Sequence, residues 1–105
     1  MKWVTIAKIH EFVHEEVELR GWLVNKRSSG KIHFLQVRDG SGRIQCVMAQ
    51  HDGTEEDFLA AKGLTQESSL ILRGLVRPDA RSPRGYELTV SSLQVVGAAE
   101  EYPIG

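Results

Sequence analysis

Residues 15–50 read EEVELRGWLVNKRSSGKIHFLQVRDGSGRIQCVMAQ. Two polar, glycine-containing breaks, at residues 28–30 and 39–42, divide this stretch into three segments rich in apolar and β-branched residues. Short breaks of this composition are typical of hairpin connections between strands. The stretch therefore predicts three β-strands in immediate succession.

Alternation of side chains along these strands assigns one face to the core and the other to solvent. On the solvent face, Phe34 stands in the second strand among polar and cationic residues, and Gln45 stands in the third. An aromatic ring there suits stacking on a nucleobase, and a glutamine amide suits the edge of a base. The alternative is a ring covered by the N-terminal helix and a glutamine on a hydrated surface. The residues expected to face the core are His33, Leu35, Val37, Ile44, Cys46 and Met48.

The composition is that of an ordinary globular domain. The chain has 105 residues, 41% of them hydrophobic and 26% charged, with a formal net charge of −1. This length suffices for one domain with a core of its own. Charge is unevenly distributed: residues 20–43 contain six cations and one acid. A locally basic sheet on a neutral protein points to a polyanionic partner; the competing interpretation is a solvated strand face.

The flanking sequence adds two helices and two strands. Thr5 is placed to cap a short helix within residues 1–14, because threonine accepts from the free amides of a first turn. Gly21 interrupts the first strand and predicts a bend that lets one strand serve two sheets. The remaining expected elements are a first strand at 16–27, a helix at 54–63, a fourth strand at 68–77, a loop at 78–85 and a fifth strand at 86–96.

Five strands with a helix between the third and fourth are the order of the OB-fold. We therefore predict an all-β fold, a five-stranded Greek-key barrel of a type that often binds oligonucleotides. An SH3-like barrel is the structural competitor, but a helix of this length after the third strand argues against it.

Arg27, at the end of the first strand, is a candidate ligand for a base or phosphate. A guanidinium can pair with either through two hydrogen bonds, where lysine offers a point charge. The alternative is a hairpin end kept soluble by its charges. For Arg38 and Asp39 we expect a structural role, with the aspartate closing the turn through its own side chain and holding the arginine.

Several kinds of chemistry find no support in the sequence. A single cysteine, Cys46, excludes an internal disulfide and is typical of a small core residue in a cytoplasmic protein. The four histidines have no metal-binding spacing, and His33 is expected to be a hydrogen-bonded interior residue. There is no recognisable nucleophile, phosphate-binding loop, signal peptide or membrane-spanning run. We therefore expect no catalysis, cofactor or metal in these residues, and no membrane association.

Residues 17–48 resemble the N-terminal anticodon-binding domain of class II asparaginyl- and aspartyl-tRNA synthetases. The likeness lies in the RGW motif, the F-L-x-x-R-D-G-x-G hairpin and the I-Q-C that follows it, and it extends over nearly the whole chain. SPRGYEL and the final EYPIG are more similar to asparaginyl than to aspartyl enzymes. In that family a hinge, here 98–105, leads into a large catalytic domain that uses ATP and Mg²⁺.

The resemblance implies that Phe34 stacks on the middle anticodon base, a uracil, and that Arg27 and Gln45 bond its edge. It places the loop 78–86 near the third base, although Arg84 stands where asparaginyl enzymes usually have glycine. Some aspartyl relatives carry an aromatic residue where this chain has Val47, which implies a smaller stacking platform here. The residues expected to contact nucleic acid are Lys26, Arg27, Lys31, Phe34, Arg43, Gln45, Val47, Arg81 and Arg84.

The predicted function is thus recognition of a tRNA anticodon stem-loop for an asparagine-tRNA ligase. The parent ligase is expected to be a homodimer, and this domain alone a monomer. Three alternatives compete: an aspartyl-tRNA synthetase domain, a general single-stranded nucleic-acid-binding module, and a barrel used as a protein-interaction scaffold.

Overall fold

The computed structural model describes residues 1–50, 55–82 and 85–97. Within these ranges the chain forms six strands, one 3-10 helix and one α-helix. In chain order they are β1 (Lys2–Trp3), the 3-10 helix (Ile6–Phe12), β2 (Glu16–Ser29), β3 (Ile32–Arg38), β4 (Arg43–Ala49), α1 (Glu55–Lys62), β5 (Ser69–Pro78) and β6 (Tyr86–Gly97).

Strands β2 to β6 close into a barrel. The sheet order is β1-β2-β3-β4-β6-β5, and a further pairing of β2 with β5 joins its ends. The first half of β2 pairs with β5 and the second half with β3, both antiparallel, whereas β4 and β6 pair in parallel. This is the predicted five-stranded OB-fold, with α1 between the third and fourth barrel strands.

Two glycines allow the long strands to approach their neighbours at the closure. A Cβ atom at Gly21 would lie 2.2 Å from the carbonyl oxygen of Arg38, and one at Gly74 would lie 2.1 Å from that of Thr89. No side chain can be accommodated at either distance. The predicted bend of the first strand at Gly21 is confirmed, since β2 changes partner from β5 to β3 at Trp22.

The predicted alternation is confirmed on both central strands, because all six residues expected to face the core are buried. Cys46 is fully enclosed, and burial raises the pKa of its thiol. From α1, Phe58 and Ala61 close one part of the core. None of the helices in the described ranges is long and apolar enough to cross a membrane.

The N-terminal segment differs from its prediction in two ways. Its first residues form β1, a two-residue strand that pairs in parallel with β2 and was not predicted. Thr5 precedes the 3-10 helix but makes no side-chain capping bond. The amides of Ile6 and Ala7 instead donate to Asp39 Oδ2 (2.8 Å) and Ser41 Oγ (3.0 Å) in the β3–β4 loop. A distant loop therefore caps this helix.

Asp39 also closes its own turn, as predicted: its Oδ1 accepts from the Ser41 amide at 2.8 Å. Gly40 lies between them at φ 90°, a conformation that favours glycine. The expectation that Asp39 holds Arg38 is wrong. Arg38 pairs with Glu67 and lies over the ring of Trp22, 5.1 Å from its centroid. Thr54, the first residue of the predicted helix 54–63, and the predicted hinge 98–105 lie outside the described residues.

Candidate nucleic-acid interface

Phe34 lies on the outer face of the barrel, at the centre of β3. Its register neighbours are Arg27 on β2 and Val47 on β4. The guanidinium carbon of Arg27 lies 4.8 Å from the centroid of the Phe34 ring, which is a cation–π contact. The ring is only partly buried, so it is not a core residue covered by the N-terminal helix.

Two cavities meet at this ring. One, of about 140 Å³, is lined by Asn25, Arg27, Phe34, Gln36 and Gln45. The other, of about 370 Å³, is lined by Arg27, Phe34, Gln45, Asp79, Arg81 and Ser82. Both cavities share the aromatic ring, the guanidinium and the amide. We call the patch formed by Arg27, Phe34, Gln45 and Val47, together with these two cavities, the Phe34 surface.

A pair of carboxyl groups borders the larger cavity. Glu87 on β6 is the register neighbour of Gln45 on β4, and its side chain hydrogen-bonds to both Gln45 and Asp79. Burial and the contact with Asp79 raise the pKa of Glu87 above its ordinary value. The amide of Arg81, together with Glu87, lowers the pKa of Asp79. The same contact between the two carboxyl groups thus raises the pKa of Glu87 and lowers the pKa of Asp79.

The structure brings together five of the nine predicted contact residues. Arg27, Phe34, Gln45 and Val47 form the central patch, and Arg81 reaches the larger cavity from the β5–β6 loop.

Of three further predicted residues, two are described but do not line the cavities, and the third lies outside the described residues. Lys31 lies in the β2–β3 turn and Arg43 at the start of β4, both exposed and at opposite ends of β3. They flank the Phe34 surface rather than line it. Arg84 lies outside the described residues.

Lys26 is directed elsewhere. Its ammonium donates to the carbonyl oxygens of Ala61 (3.3 Å), Lys62 and Leu64 (3.1 Å), at the C-terminal end of α1. The last carbonyls of a helix lack intrahelical donors, and a cation there is favourable for the helix dipole. The Ala61 carbonyl also accepts from the Leu64 amide at 3.2 Å. The structure thus places the Lys26 ammonium at the end of α1 and not in the lining of the two cavities.

His33 is the predicted interior histidine. Its Nε2 lies 3.2 Å from the Phe58 carbonyl and its Nδ1 lies 2.7 Å from Ser28 Oγ, and its ring stacks on Phe58. Nε2 carries the proton because a carbonyl can only accept, and Nδ1 then accepts from the hydroxyl. Burial lowers the pKa of His33. Within the described residues no group of side chains is arranged to hold a metal ion.

Sequence reasoning missed five residues that line or border the Phe34 surface. Two of them lie outward on strands already predicted, so the same alternation that found Phe34 could have found them. The other three belong to the β5–β6 loop and β6, whose contact with β4 depends on barrel closure. Among the latter, Ser82 Oγ is a buried side-chain oxygen without a partner among the described residues. The five are Asn25, Gln36, Asp79, Ser82 and Glu87.

A second aromatic groove lies on β1, β2 and β5. It has a volume of about 430 Å³, and its walls include the half-exposed rings of Trp3 and Trp22. Its charges are paired within the domain: Glu18 binds Arg20 (2.7 Å) and Arg73 (3.0 Å). Both contacts lower the pKa of Glu18, and the hydrogen bond from Arg20 has the larger effect. This groove therefore has aromatic rings but little free positive charge.

Comparison with known proteins agrees with this geometry. The family model described as an OB-fold nucleic acid binding domain, tRNA anti-codon, matches residues 17–96. The chain is 54% identical to the asparagine–tRNA ligase of Symbiobacterium thermophilum and 52% identical to that of Desulforamulus reducens, over 99% of this chain and 24% of each relative. A crystal structure of asparaginyl-tRNA synthetase from Pyrococcus horikoshii is similar with a TM-score of 0.86 at 39% identity, over 97% of this chain and 24% of that one.

The chain thus spans about a quarter of the length of the curated relatives it matches. Because the family model covers most of its residues, the chain belongs to the OB-fold family of tRNA anticodon-type nucleic-acid-binding domains.

Proposed function

We propose that this domain recognises the anticodon of a tRNA for an asparagine–tRNA ligase. The observation that carries the proposal is the partly exposed Phe34 ring, which lies between two cavities and beside the Arg27 guanidinium and the Gln45 amide. The relatives with which the chain aligns over 99% of its length are asparagine–tRNA ligases.

In this proposal Phe34 is the platform for the central anticodon base. A base stacked on an aromatic side chain gains about 1–3 kcal/mol, largely regardless of its identity. Arg27 already contacts the ring, so its guanidinium lies close to a base stacked there. It can bond the edge of that base or a neighbouring phosphate. Gln45 supplies a polar partner that distinguishes bases by their edges.

The larger cavity is positioned for a neighbouring anticodon base. Arg81 lines it together with Ser82, whose buried hydroxyl has no partner in the described part of the chain. A buried polar group without a partner is rare unless a ligand or water satisfies it. Lys31 and Arg43, at the two ends of β3, are available to the phosphates on either side. Contacts of that kind position the RNA without reading its sequence.

Amino-acid activation belongs, in this proposal, to the remainder of the parent ligase. The relatives extend over about four times the length of this chain, and ATP and Mg²⁺ are assigned to that remainder, which is the second partner of the domain. We further propose a homodimeric, cytoplasmic parent and a monomeric isolated domain.

Binding of RNA hairpins tests the proposal. The hairpins share a stem and a seven-nucleotide loop and differ in the central anticodon base (U, C, A or G). A second series keeps uracil at the centre and varies the third base, which differs between the asparagine and aspartate anticodons. We expect the tightest binding with uracil at the centre. Third-base preference then separates an asparaginyl from an aspartyl domain.

Two variants locate the binding surface. Phe34→Ala should weaken binding to every hairpin by about 5- to 150-fold, which corresponds to the loss of about 1–3 kcal/mol of stacking. Trp22→Ala is the matched control, since it removes a half-exposed aromatic residue on the other groove. Equal affinity for all four central bases would identify a general single-strand binder. Absence of binding, or greater loss in Trp22→Ala than in Phe34→Ala, would overturn the proposed site.

A further inference from the structure

The aromatic groove on β1, β2 and β5 collects exposed apolar side chains. Trp3 is 57% exposed, Trp22 40% and Val96 55%, and all three line the groove. They are three of the six large hydrophobic side chains that are exposed in the described ranges. Single exposed apolar residues are ordinary, whereas a contiguous group of them marks a surface that another element covers. We call this feature the tryptophan groove.

The groove lies where β6 ends. Val96 is the second-last residue of that strand, and Gly97 pairs with Ser69, which is also part of the groove wall. The chain that follows therefore starts at the rim of the groove. An extended chain advances about 3.3–3.6 Å per residue, so the sixth residue after Val96 can reach a point about 20 Å away. That reach exceeds the width of a cavity of about 430 Å³.

Residues 98–105, which lie outside the described ranges, have the composition that such a groove can receive. They read AAEEYPIG. Two acids, Glu100 and Glu101, are followed by a short apolar run of large side chains. An aromatic or aliphatic side chain that packs on a tryptophan ring removes apolar surface of both from water. The run consists of Tyr102, Pro103 and Ile104.

The charge of the groove agrees with an acidic occupant. Arg20 lines it, and the nearly buried Glu18 is shared between Arg20 and Arg73. One carboxylate between two guanidinium groups leaves a net positive charge, and both arginines are about half exposed. Asp39, the other charged residue among the described walls, already accepts from backbone amides. This small positive field suits one or two glutamates better than the backbone of a nucleic acid.

We propose that residues 98–105 dock in the tryptophan groove. The apolar side chains of 102–104 pack against Trp3 and Trp22, and the two glutamates lie beside Arg20. The connection from the barrel to the remainder of the parent ligase is then fixed on the barrel from its first residues onward. The inference does not depend on the proposed function, because the Phe34 surface is formed by other residues.

Tryptophan fluorescence tests the inference directly. The chain contains two tryptophans, and both line the groove, so their emission reports whether it is covered. The test compares quenching by acrylamide in the chain of 105 residues with quenching in a chain that ends at Gly97. In the shorter chain we expect emission at longer wavelength and a quenching constant about twofold larger, because the large ring surfaces lose their cover.

A full-length variant removes the same contacts without shortening the chain. Tyr102→Ser combined with Ile104→Ser keeps the length and charge of the segment and should raise quenching to a similar extent. Ala98→Ser combined with Ala99→Ser is the matched control, since it changes the same segment and keeps its large apolar side chains. It should leave quenching unchanged. Thermal melting checks that each variant is folded.

Equal quenching in the full-length chain and in Tyr102→Ser/Ile104→Ser would overturn the inference, even if the shorter chain failed to fold. Quenching that decreases as the protein concentration rises, alike in both lengths, would identify a second copy of the domain as the occupant. Protection that arises only on addition of an RNA hairpin would identify RNA. Either result would also overturn the inference. Hairpin affinity, which decides the proposed function, is measured separately and should be the same in both lengths.

Discussion

The assignment of Lys26 to the helix end, and not to RNA, can be tested by replacing it with methionine. This change keeps the length of the side chain and removes the ammonium that binds the carbonyls of Ala61, Lys62 and Leu64. Hydrogen bonds from a charged donor contribute about 1.5–3 kcal/mol, and a cation at a helix end about 0.3–1 kcal/mol. Two effects reduce this loss. The side chain is no longer held in one conformation, which returns up to about 2 kcal/mol of conformational entropy, and water can hydrogen-bond to the freed carbonyls. The expected net loss of stability is about 1–2 kcal/mol.

For a domain of this size such a loss lowers Tm by roughly 5–15 °C. The measurement is thermal melting of Lys26→Met beside hairpin affinity at several salt concentrations. The matched control is Lys31→Met, which removes the same charge from an exposed turn. The control should change stability by less than about 0.5 kcal/mol. It should also weaken RNA binding and make the salt slope less steep by about 0.7, because one phosphate is no longer neutralised by the protein.

The same change in charge should therefore affect stability at one position and RNA binding at the other. Lys26→Met should melt early and bind RNA with the affinity and salt slope of the parent domain. If it melted like the parent and reduced affinity and salt slope as Lys31→Met does, Lys26 would be a phosphate ligand. The assignment to the end of α1 would then be wrong.

Three further predictions concern the closure, the buried histidine and the salt dependence. Gly21→Ala should destabilise the domain by at least about 2 kcal/mol in urea unfolding, because its Cβ would overlap a backbone carbonyl at 2.2 Å; a neutral effect would contradict the geometry. Since burial lowers the pKa of His33 below its ordinary 6.5, the unfolded chain binds a proton first on acidification. The free energy of unfolding should thus fall as pH drops below about 6.5 and level off below the folded-state pKa, and His33→Gln should remove this component; an unchanged pH profile in that variant would refute it. The proposed site has four described cations that can contact phosphates, Arg27, Lys31, Arg43 and Arg81. At about 0.7 for each, the salt slope of hairpin binding should be no steeper than about −3; a steeper slope would mean that other cations also bind RNA.

The central part of the fold was predictable because its signals are local. The inward phase of β3 and β4 follows from alternation over seven residues, and every residue expected inside is buried. The bend at Gly21 was predictable for a similar reason, since glycine within an apolar strand has few explanations other than a bulge or a close approach. The residues that form the centre of the Phe34 surface belong to these same strands, so their grouping followed from the same pattern.

The contacts that the sequence did not predict are long-range. Lys26 and Arg27 are adjacent cations in one strand, and nothing local distinguishes the one that meets α1 from the one that meets Phe34. The partner of Arg38 is Glu67, which lies in a different part of the chain. The cap of the 3-10 helix comes from Asp39, 33 residues after the amide that it binds. Such choices depend on how the elements pack and not on the pattern within any one element.

These long-range contacts also change the electrostatic argument for binding. Of the six cations between residues 20 and 43, three are engaged inside the domain: Arg20 with Glu18, Lys26 with the end of α1, and Arg38 with Glu67. Their fields are largely neutralised at short range, so the basic stretch contributes less to RNA binding than its composition implies. In the proposed function, affinity then depends more on stacking and on base edges, which favours a surface whose polar groups are held in place before the RNA binds. Barrel closure brings such polar groups together, because the parallel pairing of β4 with β6 places Glu87 beside Gln45.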